Sequence, residues 1–131
     1  MQLDRIIKRK NINIAINLNT AGNNNSQQFM ALQFQPDVMV VKQITYGGTN
    51  LITGMALIYC EGVNDYIGQV SEASTISPNI VYDVSNRTFN SNWNFQIQNL
   101  DKTLNTTFLG SLYITLEFLQ FEQAKKYLPK V

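Results

Sequence analysis

Four carboxylates, Glu61, Asp65, Glu72 and Asp83, lie close together in the chain and are its nearest approach to a catalytic set. Two such groups facing one glycosidic bond would give general acid–base or nucleophilic hydrolysis. Each, however, adjoins an expected turn or strand end, where solvated acids are ordinary. The Asp-x-Asp-x-Asp-Gly spacing of a calcium loop is absent as well. The chain has no histidine, which removes the usual general base and the commonest metal ligand, and with them a Ser-His-Asp or Cys-His arrangement. Cys60 is the only cysteine, so no intrachain disulfide can form. It ends the apolar run Met55-Ala56-Leu57-Ile58-Tyr59-Cys60, where a thiol behaves as a small buried hydrophobe. Gly47-Gly48 is not followed by the Gly-Lys-Ser/Thr of a phosphate loop and reads as a hairpin turn. The expectation is a protein that is not an enzyme and holds no cofactor or metal.

Binding chemistry is better represented. Tyr46, Tyr66 and Trp93 are the candidate ligand- or sugar-contacting aromatics, although Trp93 alternates with Phe95 in a pattern that also suits a core. Asn11, Asn13, Asn17 and Asn19 would offer donors and acceptors without charge from one face of a strand. Charge is unevenly spread. Arg5, Lys8, Arg9 and Lys10 lie in the first ten residues, and Lys125, Lys126 and Lys130 lie near the end. Residues 11–124 hold three bases and eight acids, a net −5. An acidic body between basic ends suggests arms that meet something negative. Basic residues interleaved with aromatics are missing from the body, so no specific nucleic-acid partner is expected.

The elements that must position these groups are strands. Ile12, Ile14, Ile16 and Leu18 alternate with mostly amide residues, which is period two and not 3.6. Further strands are expected near Gln28–Phe34, Val38–Tyr46, Gly54–Cys60, Asp65–Val70, Asn79–Val84, Trp93–Gln98 and Leu112–Phe121. Lys42 interrupts the apolar face Val38, Val40, Ile44 and Tyr46 of the third. Gly47-Gly48 is read as turning that strand back into the next. Ala21–Gln27, Ser71–Pro78 and Asp101–Thr107 read as polar connections, and Glu122–Leu128 as at most a short helix. Eight strands with short polar connections predict an all-β fold, an eight-stranded antiparallel β-sandwich, jelly-roll-like. The last strand becomes apolar on both faces at its end, which makes Leu119 and Phe121 candidate subunit-contact residues.

The 131 residues suit one domain: a basic N-terminal arm (1–10), a sandwich domain (11–121) and a short basic C-terminal tail (122–131). No apolar run approaches a membrane span, and the charged first ten residues do not read as a signal peptide. The expectation is synthesis in a reducing cytosol without membrane partners.

Phe34-Gln35-Pro36-Asp37, leading into Val41-Lys42-Gln43-Ile44-Thr45-Tyr46, carries a family likeness. So do Phe95-Gln96-Ile97-Gln98-Asn99 and Gly110-Ser111-Leu112-Tyr113-Ile114-Thr115-Leu116-Glu117-Phe118. With the asparagine-rich composition, this stretch resembles small β-jelly-roll virion proteins of virophages and other viruses associated with giant viruses. The resemblance covers roughly residues 34–121. It implies a virion-associated structural or host-attachment protein made in the host cytoplasm, a homo-oligomer with a trimer favoured. Other capsid proteins or host surface glycans are the implied partners. A carbohydrate-binding module without catalytic activity is the alternative. The resemblance assigns no site residues.

Overall fold

The computed structural model describes residues 5–17, 25–47, 55–71, 75–103 and 110–122. These form nine antiparallel strands: β1 Ile6–Asn17, β2 Asn25–Phe29, β3 Val38–Gly47, β4 Ala56–Cys60, β5 Asp65–Val70, β6 Thr75–Ile76, β7 Ile80–Asp83, β8 Asn92–Gln98 and β9 Ser111–Phe121. One sheet has the order β1-β9-β3-β6, with β7 also on β3, and the other has the order β2-β8-β4-β5. β6 pairs with Ile44 and Thr45, and β7 with Val38–Val41, so the two form one interrupted edge strand beside β3. Counted that way, eight strands fall four to each sheet, in the order of a jelly roll.

Period-two alternation builds the core. Ile14 and Ile16 of β1 and Leu112, Ile114, Leu116 and Phe118 of β9 are buried from one sheet. Ile58 and Cys60 of β4, Ile67 of β5, and Trp93, Phe95 and Ile97 of β8 meet them from the other. Two sheets twisted and stacked in this way are held by interdigitation of these inner faces.

Four expectations are corrected. β1 begins at Ile6, so residues 6–10 of the supposed arm are strand, paired with β9 from Ile6↔Phe121 onward. β2 is Asn25–Phe29 and not Gln28–Phe34. Met30 and Leu32 are still buried, but their backbone is held by the 90–91 segment: Met30 N–H donates to the Ser91 carbonyl, Asn90 N–H to the Met30 carbonyl, and Leu32 N–H to Asn90 Oδ1.

The third correction concerns Lys42. The β3–β9 register shifts between Val41 and Gln43, a bulge that flips the inward set. Met39 and Val41 point to the core before it, Ile44 and Tyr46 after it, and Val38 and Val40 pair on the outer face instead. The fourth is the Gly47-Gly48 hairpin. β3 pairs with β9, β6 and β7, whereas β4 pairs with β5 and β8, so the connection passes from one sheet to the other. Gly48 itself, residues 123–131 of the basic tail and most of the Glu122–Leu128 segment lie outside the described residues.

Candidate functional site

The alternation that buries Ile12, Ile14 and Ile16 continues backwards along β1 to Lys10 and Lys8. The apolar stripe of this strand therefore ends in two ammonium groups. Beside them, Leu32, Gln33, Phe34 and Asn90 complete an open groove of about 680 Å³. Lys8 Nζ stands 6.0 Å from the Phe34 ring centroid, a cation–π distance. Arg9 faces the other way, its Nε 3.4 Å from Glu117 on β9, and Arg5 reaches Glu122 at the same distance. Among the described residues, neither Lys8 nor Lys10 has a carboxylate within 4 Å. The groove is thus a cationic, partly apolar slot along an edge strand, suited to an anionic or acidic surface.

The opposite edge, β5 with β6 and β7, has the reverse sign. Asp65 opens β5 and Asp83 closes β7, both exposed. Two hydrogen bonds from Ser85, through its hydroxyl at 2.7 Å and its N–H at 3.0 Å, hold the Asp83 carboxyl below the usual range, and Arg87 adds to this. Leu57, Tyr66, Ile76, Pro78 and Ile80 line an apolar groove of about 400 Å³ on the same edge. Tyr82 Oη donates to the Tyr66 carbonyl at 2.6 Å and ties β7 to β5 across the two sheets.

A third surface is the outer face of the second sheet. Tyr66 Oη donates to Gln98 Oε1 at 2.7 Å, and Gln98 Nε2 donates to Gln96 Oε1 at 2.8 Å. Tyr59 meets Tyr66 edge-on, with centroids 5.3 Å apart, and Lys102 Nζ is 5.9 Å from the Tyr66 ring. Nearby on β8, Asn94 Oδ1 is buried without a hydrogen-bond partner.

The candidates from the sequence are dispersed by this geometry. Tyr46 and Trp93 are 1% and 3% exposed and belong to the core, so neither is available to a ligand. Trp93 packs with Phe89 and Phe118, and its Nε1–H donates to the Thr88 carbonyl. Tyr66 is the one candidate aromatic on a surface, and it is half-buried. Leu119 is 7% exposed within a single chain, which leaves it almost nothing to offer a second subunit. Phe121 stays partly exposed next to Ile6.

The carboxylates do not converge. Glu61 lies in the turn after β4, Asp65 and Asp83 lie on separate strands, and Glu117 is bridged to Arg9 on the outer face of β9. Glu72 is outside the described residues. Cys60 is fully buried, and burial pushes its thiol up to about 12. Phe34 is the groove residue that sequence reasoning passes over, while Lys8 and Lys10 are expected in a basic arm and stand instead on the β1 stripe. Reading the β1 alternation four residues further toward the N-terminus would have placed both lysines on the core-side face.

No family model and no curated protein matches this chain. A solved structure does. The chain is similar to the Drosophila NLP-core, with a TM-score of 0.51 and 12% sequence identity over 88% of this chain and 100% of that one. That structure is described as giving insight into pentamer formation and histone binding. At this identity, the likeness shows the β fold.

Proposed function

We propose that the protein is a non-enzymatic, self-associating jelly-roll subunit of a virus particle. The observation that carries the reading is an edge. β1 is a strand of 12 residues, paired on one side by β9 and on the other by nothing among the described residues. An edge this long templates association unless it is covered, and a partner subunit is the simplest cover. The resemblance of residues 34–121 to virion jelly rolls points to the setting, and the dispersal of the carboxylates favours assembly over hydrolysis. The pentamer named for the NLP-core supports a homo-oligomer of this fold in kind. Five copies therefore compete with the three that the virion resemblance favours.

Light scattering and native mass spectrometry on the purified protein, at tens of micromolar, test the reading. A homo-oligomer with a discrete mass is expected, together with the protein in purified particles. A strict monomer absent from particles overturns it.

A second reading, attachment to host surface glycans, is favoured by the outer face of the second sheet, where Tyr59, Tyr66 and Gln96 set ring and amide chemistry beside the Lys102 ammonium. Glycan-array binding lost on Tyr59→Ala is its expected signature, and an array without hits counts against it.

A further inference from the structure

We infer that two copies of the chain associate side by side, the basic β1 edge of one against the acidic β5–β7 edge of the next. This rests on the self-association proposed above and specifies its interface. Three independent features of the fold converge on it.

The first is charge. Lys8 and Lys10 sit on the β1 edge with no carboxylate partner among the described residues, while Asp65 and Asp83 stand exposed on the far edge. Glu117 and Glu122 are taken up by Arg9 and Arg5, while two bases stand near the aspartates: Arg87, whose Nη2 donates to the Val63 carbonyl at 3.3 Å, and Lys102, held over the Tyr66 ring. Opposite potentials on two faces of one molecule steer it onto its own copies and fix the register.

The second is level. Across the first sheet, Arg9 pairs with Leu119, Leu119 with Val38, and Val38 with Asp83. Asp83 and Arg9 thus end one row on the outer face, with Lys8 and Lys10 one residue to either side of Arg9 on the core-side face, and a copy displaced sideways without sliding brings Asp83 level with Arg9.

The third is strand direction. Each pairing along β1-β9-β3-β7 is antiparallel, so β1 and β3 run one way and β9 and β7 the other. A copy set alongside in the same orientation therefore lays its β7 antiparallel to β1, as the sheet requires. The contact is head-to-tail, joining two different patches, and closes into a ring when the rotation between copies allows. The apolar groove lined by Leu57, Ile76, Pro78 and Ile80, together with Val81 at 59% exposure, supplies apolar area to the same contact.

Zero-length carbodiimide cross-linking of the wild-type oligomer, followed by peptide mass spectrometry, reads the interface directly. Intermolecular links from Lys8 or Lys10 to Asp65 or Asp83 are expected. Lys8→Glu/Lys10→Glu and Asp65→Asn/Asp83→Asn should each raise the dissociation constant by about tenfold or more at low salt, with the β fold retained by circular dichroism, and added salt should weaken the wild type. An oligomer whose links lie elsewhere, or whose mass is unaffected by both variants, overturns this interface and leaves self-association standing. A wild type that is monomeric throughout overturns both.

Discussion

The Tyr82 hydroxyl donates to the Tyr66 carbonyl at 2.6 Å, so a side chain of β7 stands in for a backbone partner on the open side of β5. The bond joins the two sheets at the edge where the acidic residues lie. Tyr82→Phe removes the donor and leaves a carbonyl with reduced satisfaction, which should cost about 1 kcal/mol of stability. Urea denaturation of the two proteins measures it, with the midpoint moving down and the slope unchanged.

Gly62 lies over the indole of Trp93, and a Cβ there would stand 2.0 Å from the ring. A flat ring inside a packed core has little room to withdraw. Gly62→Ala should therefore destabilise by about 1–3 kcal/mol, the usual cost of overpacking. Trp93 is the only tryptophan, so its emission reports the displacement as a red shift in the folded protein.

Burial raises the Cys60 thiol from 9.0 to about 12. The folded protein keeps its proton where the unfolded chain would release it. The resulting contribution is fully present below pH 9 and is lost as pH rises toward 12, amounting to up to about 4 kcal/mol across that window. Stability against pH should fall over this alkaline range for the wild type and fall less for Cys60→Ala. At neutral pH the thiol should react with Ellman's reagent only when the chain unfolds.

Asp83 and Asp101 are both held below their usual range, first by the hydroxyls of Ser85 and Thr103 and then by the N–H groups of the same residues. Their contribution is present above the ordinary carboxylate value and is lost as pH falls through the lowered one. In carbon-detected NMR titrations, Ser85→Ala should move Asp83 back up without moving Asp101, and Thr103→Val should do the converse.

Lys42 is the extra residue of the β3 bulge. Deleting it leaves Met39, Val41, Ile44 and Tyr46 in plain alternation, all on the inward face and in continuous register with β9. The deletion should therefore still unfold cooperatively in urea, and Lys42→Ala, at an exposed position, should leave the melting curve within about 0.5 kcal/mol of wild type.

These cases also mark how far the sequence is legible. The inward faces of β1, β8 and β9 follow from alternation alone, because their pairing runs on without interruption through the core. β3 misleads at Val38 and Val40 because a bulge resets the phase, and Lys42, which betrays it, looks equally like a surface break in an apolar face. Tyr46 and Trp93 read as platform aromatics because a tyrosine or tryptophan has the same pattern value on either side of a sheet. What decides the matter is whether the polar atom finds a partner inside, as Trp93 Nε1 does at Thr88. The crossing from β3 to β4 was hidden for another reason: Gly47-Gly48 satisfies local turn chemistry, and strand partnership is settled by the whole sheet. The groove at Lys8 and Lys10 was masked by treating a run of basic residues as an arm, although its spacing continues that of the isoleucines.

β1 finds its principal partner in β9, the last strand of the sandwich, and Glu122 N–H donates to the Arg5 carbonyl beside them. During synthesis, the first strand of this domain therefore waits for its last before the sheet can close. Until then the stripe of Ile12, Ile14 and Ile16 faces water, and the full cost of closing the longest loop in the domain falls on the final step. Folding is thus expected to be slow for the domain's size, and the chain is most exposed to aggregation while β1 is made and β9 is not.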